Sequence, residues 1–228
     1  MKYIILLSII LLGLTNVFSQ QTIEKAEFDK VMSSSFQALR NIPYRTIEES
    51  VMQNSFGNPM KTKIITEIDG ITRRSVYESD SSASYMKTET IFINGKRFVK
   101  KLDNPWIKEK IENKPFQNTL ETISNETINK FIGEQVVNEK KIKVYQTVQT
   151  RKYIDKAKGS ESTTTDTTDY YFDEKGLMFK SISTSEMIFK PKNEPGSATL
   201  MKESKSSRKQ IKTVEVDQNI KIEKPKIG

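Results

Sequence analysis

The stretch Thr88-Glu89-Thr90-Ile91-Phe92-Ile93-Asn94-Gly95-Lys96-Arg97-Phe98-Val99-Lys100-Lys101-Leu102-Asp103-Asn104-Pro105-Trp106 decides how the rest of the chain is read. Asn94-Gly95 stands between two β-prone runs. Asn and Gly both tolerate the positive φ angles of a type I′ turn, whose twist matches the flanking strands, so the pair predicts a two-residue hairpin. Alternation puts Ile91 and Ile93 on one face of the incoming strand and Phe92 on the other. On the outgoing strand Phe98 alternates with Arg97 and Val99. Apolar groups therefore occur on both faces. Two arrangements satisfy that pattern: an inner strand pair of a sandwich, or a curved sheet with one apolar face turned to its own helices or a cavity.

Upstream of the hairpin, Gly57-Asn58-Pro59 and Asp69-Gly70 are turn signals that separate alternating runs over residues 44–51, 60–68 and 71–77, which predicts three antiparallel strands. Residues 78–84 contain no apolar side chain larger than alanine and predict a loop. Before the first strand, Ile23, Ala26, Val31, Met32, Phe36 and Leu39 recur at near-helical spacing over residues 22–39, and Pro43 stops that helix. Downstream, residues 105–108 predict a short strand carrying the sole tryptophan, a residue that is more often core than ligand contact. A second helix is predicted from Asn118, with Glu121 three residues on as in a capping box. Leu120, Ile123, Ile128, Phe131 and Ile132 form its stripe and Gly133 its end. Strands then resume at residues 136–137 and 142–148. Residues 156–168 are low in complexity and predict a disordered loop. A hairpin follows around residues 173–176, and the last strands are predicted at residues 206–216 and 220–223.

Composition narrows the chemistry. Met1-Lys2, the apolar run over residues 3–14 and the small residues Val17 and Ser19 have the three parts of a secretory signal, with cleavage after Ser19. The run is too short to span a bilayer, which takes about 20 apolar residues. The expected organisation is a signal peptide over 1–19 and one domain over 20–228; the exported chain should have a mass lacking residues 1–19. The mature 209 residues would carry 36 basic and 29 acidic side chains, a net +7 spread over the strands, which argues against a nucleic-acid footprint. With no cysteine there is neither a disulfide nor a site for lipid attachment, so the exported chain is expected to be soluble, held together by burial alone. With no histidine either, the commonest general base and the commonest zinc ligand are both missing. No phosphate-binding glycine loop, Gly-x-Ser-x-Gly elbow or calcium loop is present. Ser206 to Lys209 matches Ser-x-x-Lys but lies in a polar run. The residues therefore predict no catalytic site, no metal and no cofactor.

One helix, a meander, a helical insertion and a second meander predict an α+β fold: a single long curved antiparallel sheet forming an unclosed β-barrel, with helices covering its concave face. The run Ile93-Asn94-Gly95-Lys96-Arg97-Phe98-Val99-Lys100 with Trp106 resembles the corresponding hairpin of the LolA-like and LppX-like lipoprotein carriers. The hairpin Tyr170-Tyr171-Phe172-Asp173 to Gly176-Leu177 and the closing segment Val216 to Pro225 resemble the same family's last strands. The resemblance covers most of residues 21–226. It implies a helix-lidded half-barrel whose apolar cavity holds acyl chains, in a soluble periplasmic carrier. The family's gating arginine is not carried over, because Arg40 and Arg45 both lie near the first strand and the residues do not separate them.

Two functional classes follow. One is a periplasmic, non-enzymatic carrier that binds lipid or the acyl chains of lipoproteins, acting as a monomer with transient envelope-protein partners and no nucleic acid. The other is an exported non-catalytic cell-envelope interaction protein whose half-barrel is filled. A carrier needs an apolar-lined cavity of about 300–1,000 Å³, whereas an interaction protein fills that space with its own side chains. The expected ligand-binding residues are Phe92, Phe98, Trp106, Tyr145, Met178, Phe179 and Met187, large apolar groups on predicted strands from separated parts of the chain.

Overall fold

A computed structural model describes residues 20–54, 57–81, 84–109, 120–155, 159–192 and 202–227. The signal segment, the start of the expected second helix at Asn118 and most of the break at residues 191–196 lie outside them. The elements in chain order are β1 (Gln21–Ile23), α1 (Lys25–Leu39), β2 (Tyr44–Asn54), β3 (Met60–Asp69), β4 (Thr72–Ser81), β5 (Ser84–Ile93), β6 (Lys96–Lys101) and β7 (Ile107–Glu109). β8 (Leu120–Val137), β9 (Lys140–Asp155), β10 (Ser160–Phe172), β11 (Met178–Lys190) and β12 (Ser204–Val216) complete them.

The twelve strands of the described residues form one antiparallel sheet in the order β1-β8-β9-β10-β11-β12-β2-β3-β4-β5-β6-β7. Two meanders, β2 to β7 and β8 to β12, meet where β12 pairs with β2 from Val216↔Tyr44 to Ser206↔Asn54. The edges β1 and β7 pair with nothing further among the described residues, so the barrel is unclosed.

The Asn94-Gly95 hairpin forms as its turn chemistry requires. Asn94 and Gly95 have φ of 50° and 70°, between Ile93 and its partner Lys96. The Asp69-Gly70 signal is displaced by one residue: Asp69 pairs with Thr72, so Gly70 and Ile71 are the central residues and only Gly70 takes a positive φ. That geometry suits glycine at the first central position of a type II′ turn.

Helix α1 starts three residues later than its apolar pattern suggested, because Ile23 is taken into β1. Its inward face is Phe28, Ser35 and Leu39, with Val31 and Met32 alongside, while Phe36 points out and is exposed. Ser35 is buried because its hydroxyl oxygen accepts the Met178 backbone N–H at 2.8 Å, which fixes the helix to the start of β11. Leu39 packs with Phe172, Met178 and Val214. Around them Phe28, Phe131, Tyr145, Tyr170 and Phe172 make edge-on and tilted ring contacts with centroids 5.1–6.5 Å apart.

Four expectations are overturned. The expected second helix is strand β8. Its Thr122, Ile123, Thr127 and Ile128 are β-branched, and pairing with β9 from Leu120↔Asp155 to Val137↔Lys140 overrides the helical spacing. Gly133, expected to stop a helix, has φ 135° at a β-bulge opposite Val144. The expected loop at residues 78–84 is largely strand, since β4 runs to Ser81 and β5 starts at Ser84. The expected disordered segment is β10 from Ser160 onward; its threonines are strand formers paired on both sides, by β9 and by β11. Residues 156–158 fall outside the described set. The expected strand at residues 220–223 is irregular, anchored by buried Ile220.

A ladder bonded on both sides gives a test. In hydrogen exchange, the amides of Thr163 to Thr168 should open only in large cooperative units, with protection like that of the Asn94-Gly95 hairpin strands. Exchange there at the rate of an unstructured peptide would contradict the β10 register.

Candidate functional site

The register divides the side chains between a face that bears α1 and an opposite face. Beyond the helix, the α1 face is lined by small hydroxyl residues that satisfy one another across strands. Ser50 bonds Thr62 at 2.6 Å, Thr66 bonds Ser75 at 3.2 Å and Thr168 bonds Ser183 at 2.9 Å. Glu48, on the same face, accepts from Gln210 at 3.0 Å and pairs with Lys212 at 2.9 Å. Arg151 pairs with Asp166 there too. Under the helix, the space is taken by the rings just described.

The opposite face of β2, β3 and β4 carries one pattern three times: Arg45-x-Ile47-x-Glu49, Lys63-x-Ile65-x-Glu67 and Arg74-x-Val76-x-Glu78. Neighbouring strands run antiparallel, so each cation meets an anion next door. One rung is Arg45–Glu67 at 2.7 Å, Glu67–Arg74 at 3.3 Å and Arg74–Glu89 at 2.6 Å. The middle rung is Ile47, Ile65 and Val76 in register. The third is Glu49–Lys63 at 3.0 Å and Glu78–Lys87 at 2.8 Å. Hydrogen bonding to Lys87 holds the Glu78 carboxyl below the usual carboxylate range, and the same bond holds the Lys87 ammonium above its usual value. Arg45 is likewise raised, first by its hydrogen bond to Glu67. It is thus committed to an ion pair.

Past the third rung lies Lys209, Val51, Lys61, Asp80 and Tyr85, one side chain from each of β12 and β2 to β5. This row and the third rung enclose an open groove of about 580 Å³, with Ile211, Val51 and Tyr85 as its apolar members. The lysines bring aliphatic stems into the groove and can hold their charged ends at the rim. A smaller hollow of about 220 Å³ lies between the middle rung and the Arg45–Glu67–Arg74 rung.

The seven residues expected to bind ligand do not converge. Tyr145 and Met178 meet in the packed core under α1. Phe98 is 1% exposed beside buried Ile91 on the face away from the helix. Phe92 is its neighbour in the hairpin but points to the other face, opposite Arg97, and is 38% exposed. Trp106 is half-buried just before β7. Phe179 follows Met178 at a β-bulge, where the register passes from Tyr171↔Lys180 to Phe172↔Met178, and lines a hollow of about 410 Å³ with Ile142 and Val137. Met187 borders another of about 330 Å³ with Ile188, Ser206 and Gln53. The groove residues Val51, Tyr85 and Ile211 were missed. The period-two repetition of cation, aliphatic and anion along β2, β3 and β4 marks the rung beside the groove but not these three side chains, which only the strand register brings together.

Among the described residues there is no group of three or more Asp or Glu side chains placed to hold a metal, and no helix is long and apolar enough to cross a membrane. No protein-family profile matches the chain, and no curated protein does. Among solved structures, a LolA superfamily protein from Nitrosomonas europaea is similar over 83% of this chain and 93% of that one, at 6% identity and a TM-score of 0.30.

Proposed function

We propose that this is an exported, non-enzymatic carrier that binds lipid, or the acyl chains of lipoproteins, in the groove across β12 and β2 to β5. One observation carries the reading: an open groove of about 580 Å³, inside the range of about 300–1,000 Å³ that small-molecule pockets occupy. Its apolar members suit an acyl chain, and the rim supplies both charge signs for a headgroup. The resemblance of the Asn94-Gly95 hairpin to the lipoprotein carriers supports the same reading, with a periplasmic location after cleavage at Ser19 and transient envelope-protein partners.

A titration with a fluorescent fatty acid tests it, together with native mass spectrometry of the exported protein for co-purified lipid. Val51→Trp places a strand-compatible ring in the groove at an exposed position, so it should weaken uptake about tenfold, equivalent to ~1.4 kcal/mol, with little change in stability. Failure of the wild type to take up either a fatty acid or an acylated peptide rules the carrier out. The filling of the space under α1 by Phe28, Tyr145, Tyr170 and Phe172 favours the second reading, a non-catalytic cell-envelope interaction protein, in that event.

A further inference from the structure

Most of the charge in the groove is already matched by charge from the next strand. Glu49 bonds Lys63 at 3.0 Å and Glu78 bonds Lys87 at 2.8 Å. Lys61 and Lys209, both exposed and both lining the groove, form no ion pair among the described residues. They stand on either side of Val51, which pairs with Lys209 on β12 and with Lys61 on β3. Adjacent strands lie about 4.8 Å apart, so these two lysines can bring their ammonium groups, on long flexible stems, to a single anion above the Val51 side chain. The acidic groups nearby are less well placed to meet them. Asp80 lies beside Lys61 on the side away from Val51. Glu49 and Glu186 are only diagonal to Lys209, whose direct neighbours are Thr184 and Val51, and Glu49 is held by Lys63.

An apolar path leads from the same point into the sheet. Ile211 pairs with Glu49, which places it diagonally between Val51 and Ile47 of β2, and diagonal neighbours are within reach of long side chains. Ile47 continues in register to Ile65 and Val76. From Val51 to Ile47 the path covers roughly 13 Å, at about 3.3 Å per residue. It passes beside the Glu49–Lys63 pair and ends at the smaller hollow of about 220 Å³. Ile211, Ile47, Ile65 and Val76 are half-buried, so each still offers apolar surface to a chain laid along it.

We propose that the groove takes a single-chain amphiphile with an anionic head. Lys61 and Lys209 hold the oxyanion, a carboxylate or a phosphate ester, above Val51, and the chain lies along Ile211 toward Ile47, Ile65 and Val76. The inference rests on the carrier reading and names the class of ligand carried.

The test is calorimetric titration of the mature protein with a fatty acid, an alkyl phosphate, a fatty alcohol and an alkyltrimethylammonium of one chain length, and with inorganic phosphate. The acid and the alkyl phosphate should bind about fivefold more tightly than the alcohol, the order expected of two exposed ion pairs, and salt should narrow that gap. The tighter of the two names the source of the head. Lys61→Gln combined with Lys209→Gln should bring the acid down to the affinity of the alcohol at an unchanged melting temperature. Ile211→Ser should weaken acid and alcohol alike, about threefold or more. Arg208→Gln removes an exposed cation from the other face, opposite Met52, and should leave the gap as it is. Equal binding of acid and alcohol overturns the proposal and leaves the carrier reading standing, whereas no uptake of any amphiphile sinks both. A gap that survives the double lysine variant, or that Arg208→Gln closes as far, overturns it as well. So does a trimethylammonium probe that binds tighter than the acid, which assigns the head site to Asp80. Inorganic phosphate that binds as tightly as the alkyl phosphate also overturns it, because the chain then contributes nothing.

Discussion

Phe172→Ala should destabilise the protein by about 3–5 kcal/mol, a cost typical of emptying a phenylalanine site in a packed core. Phe172 is 1% exposed and its ring meets Tyr145 edge-on at a centroid distance of 5.5 Å. It also packs against Leu39, Met178 and Val214, so one side chain joins α1, β10, β11 and β12. The bulge beside it limits collapse: Phe172 pairs with Met178 across a register shift, and Met178 is held by its N–H bond to Ser35. Against a total stability of about 5–15 kcal/mol for a protein of this kind, the loss is a large fraction. Urea unfolding followed by Trp106 fluorescence measures it. Phe92→Ala is the comparison, because Phe92 is largely out of the core and should cost no more than about 1 kcal/mol. Equal losses for the two would mean that the ring cluster under α1 is not the main core.

Much of this arrangement could be read from the chain, and the limits have identifiable causes. The Asn94-Gly95 hairpin was legible because its turn geometry is a property of two adjacent residues. Helix α1 was legible in outline, yet Phe36 was misplaced and Ser35 was missed: a hydroxyl faces inward because a backbone N–H from β11 needs an acceptor, a partner 143 residues away. Strand β8 was mistaken for a helix for a related reason. The spacing of Leu120, Ile123, Ile128 and Phe131 suits a helix locally, while β9 supplies the ladder that decides the matter. The threonine-rich part of β10 was dismissed on composition, although threonine suits a strand covered on both sides. For the ligand residues, alternation gives a face but not its direction, and a bulge changes the parity. Phe92 and Phe98 thus separate to opposite faces, and Phe179 parts from Met178. The triple repetition ending at Glu78 was visible throughout, but its meaning depends on antiparallel neighbours placing each cation beside an anion.

Glu67→Gln tests whether that repetition works as a coupled unit. Glu67 is the most enclosed member of its rung, at 16% side-chain exposure, and serves two guanidinium groups at once. Its Oε1 accepts from Arg45 Nε at 3.2 Å and Nη2 at 2.7 Å, and its Oε2 from Arg74 Nη1 at 3.3 Å. Glutamine keeps the size but offers one acceptor and an NH₂ group in place of the second, so one arginine would face a donor and two cations would lose the charge between them. A fully buried pair broken in this way costs about 3–5 kcal/mol. Arg45 and Arg74 are 34% and 42% exposed, and solvent screening reduces the expectation to about 1–2 kcal/mol. Glu89→Gln removes one contact, to Arg74, and should cost less. Raising the salt concentration should recover part of the Glu67→Gln loss, because it screens the repulsion between Arg45 and Arg74. The measurement is the urea midpoint of each variant at low and high salt. If Glu67→Gln costs no more than Glu89→Gln, and salt changes neither, the rung is a set of independent surface pairs and the stability of this half of the sheet resides in Ile47, Ile65 and Val76.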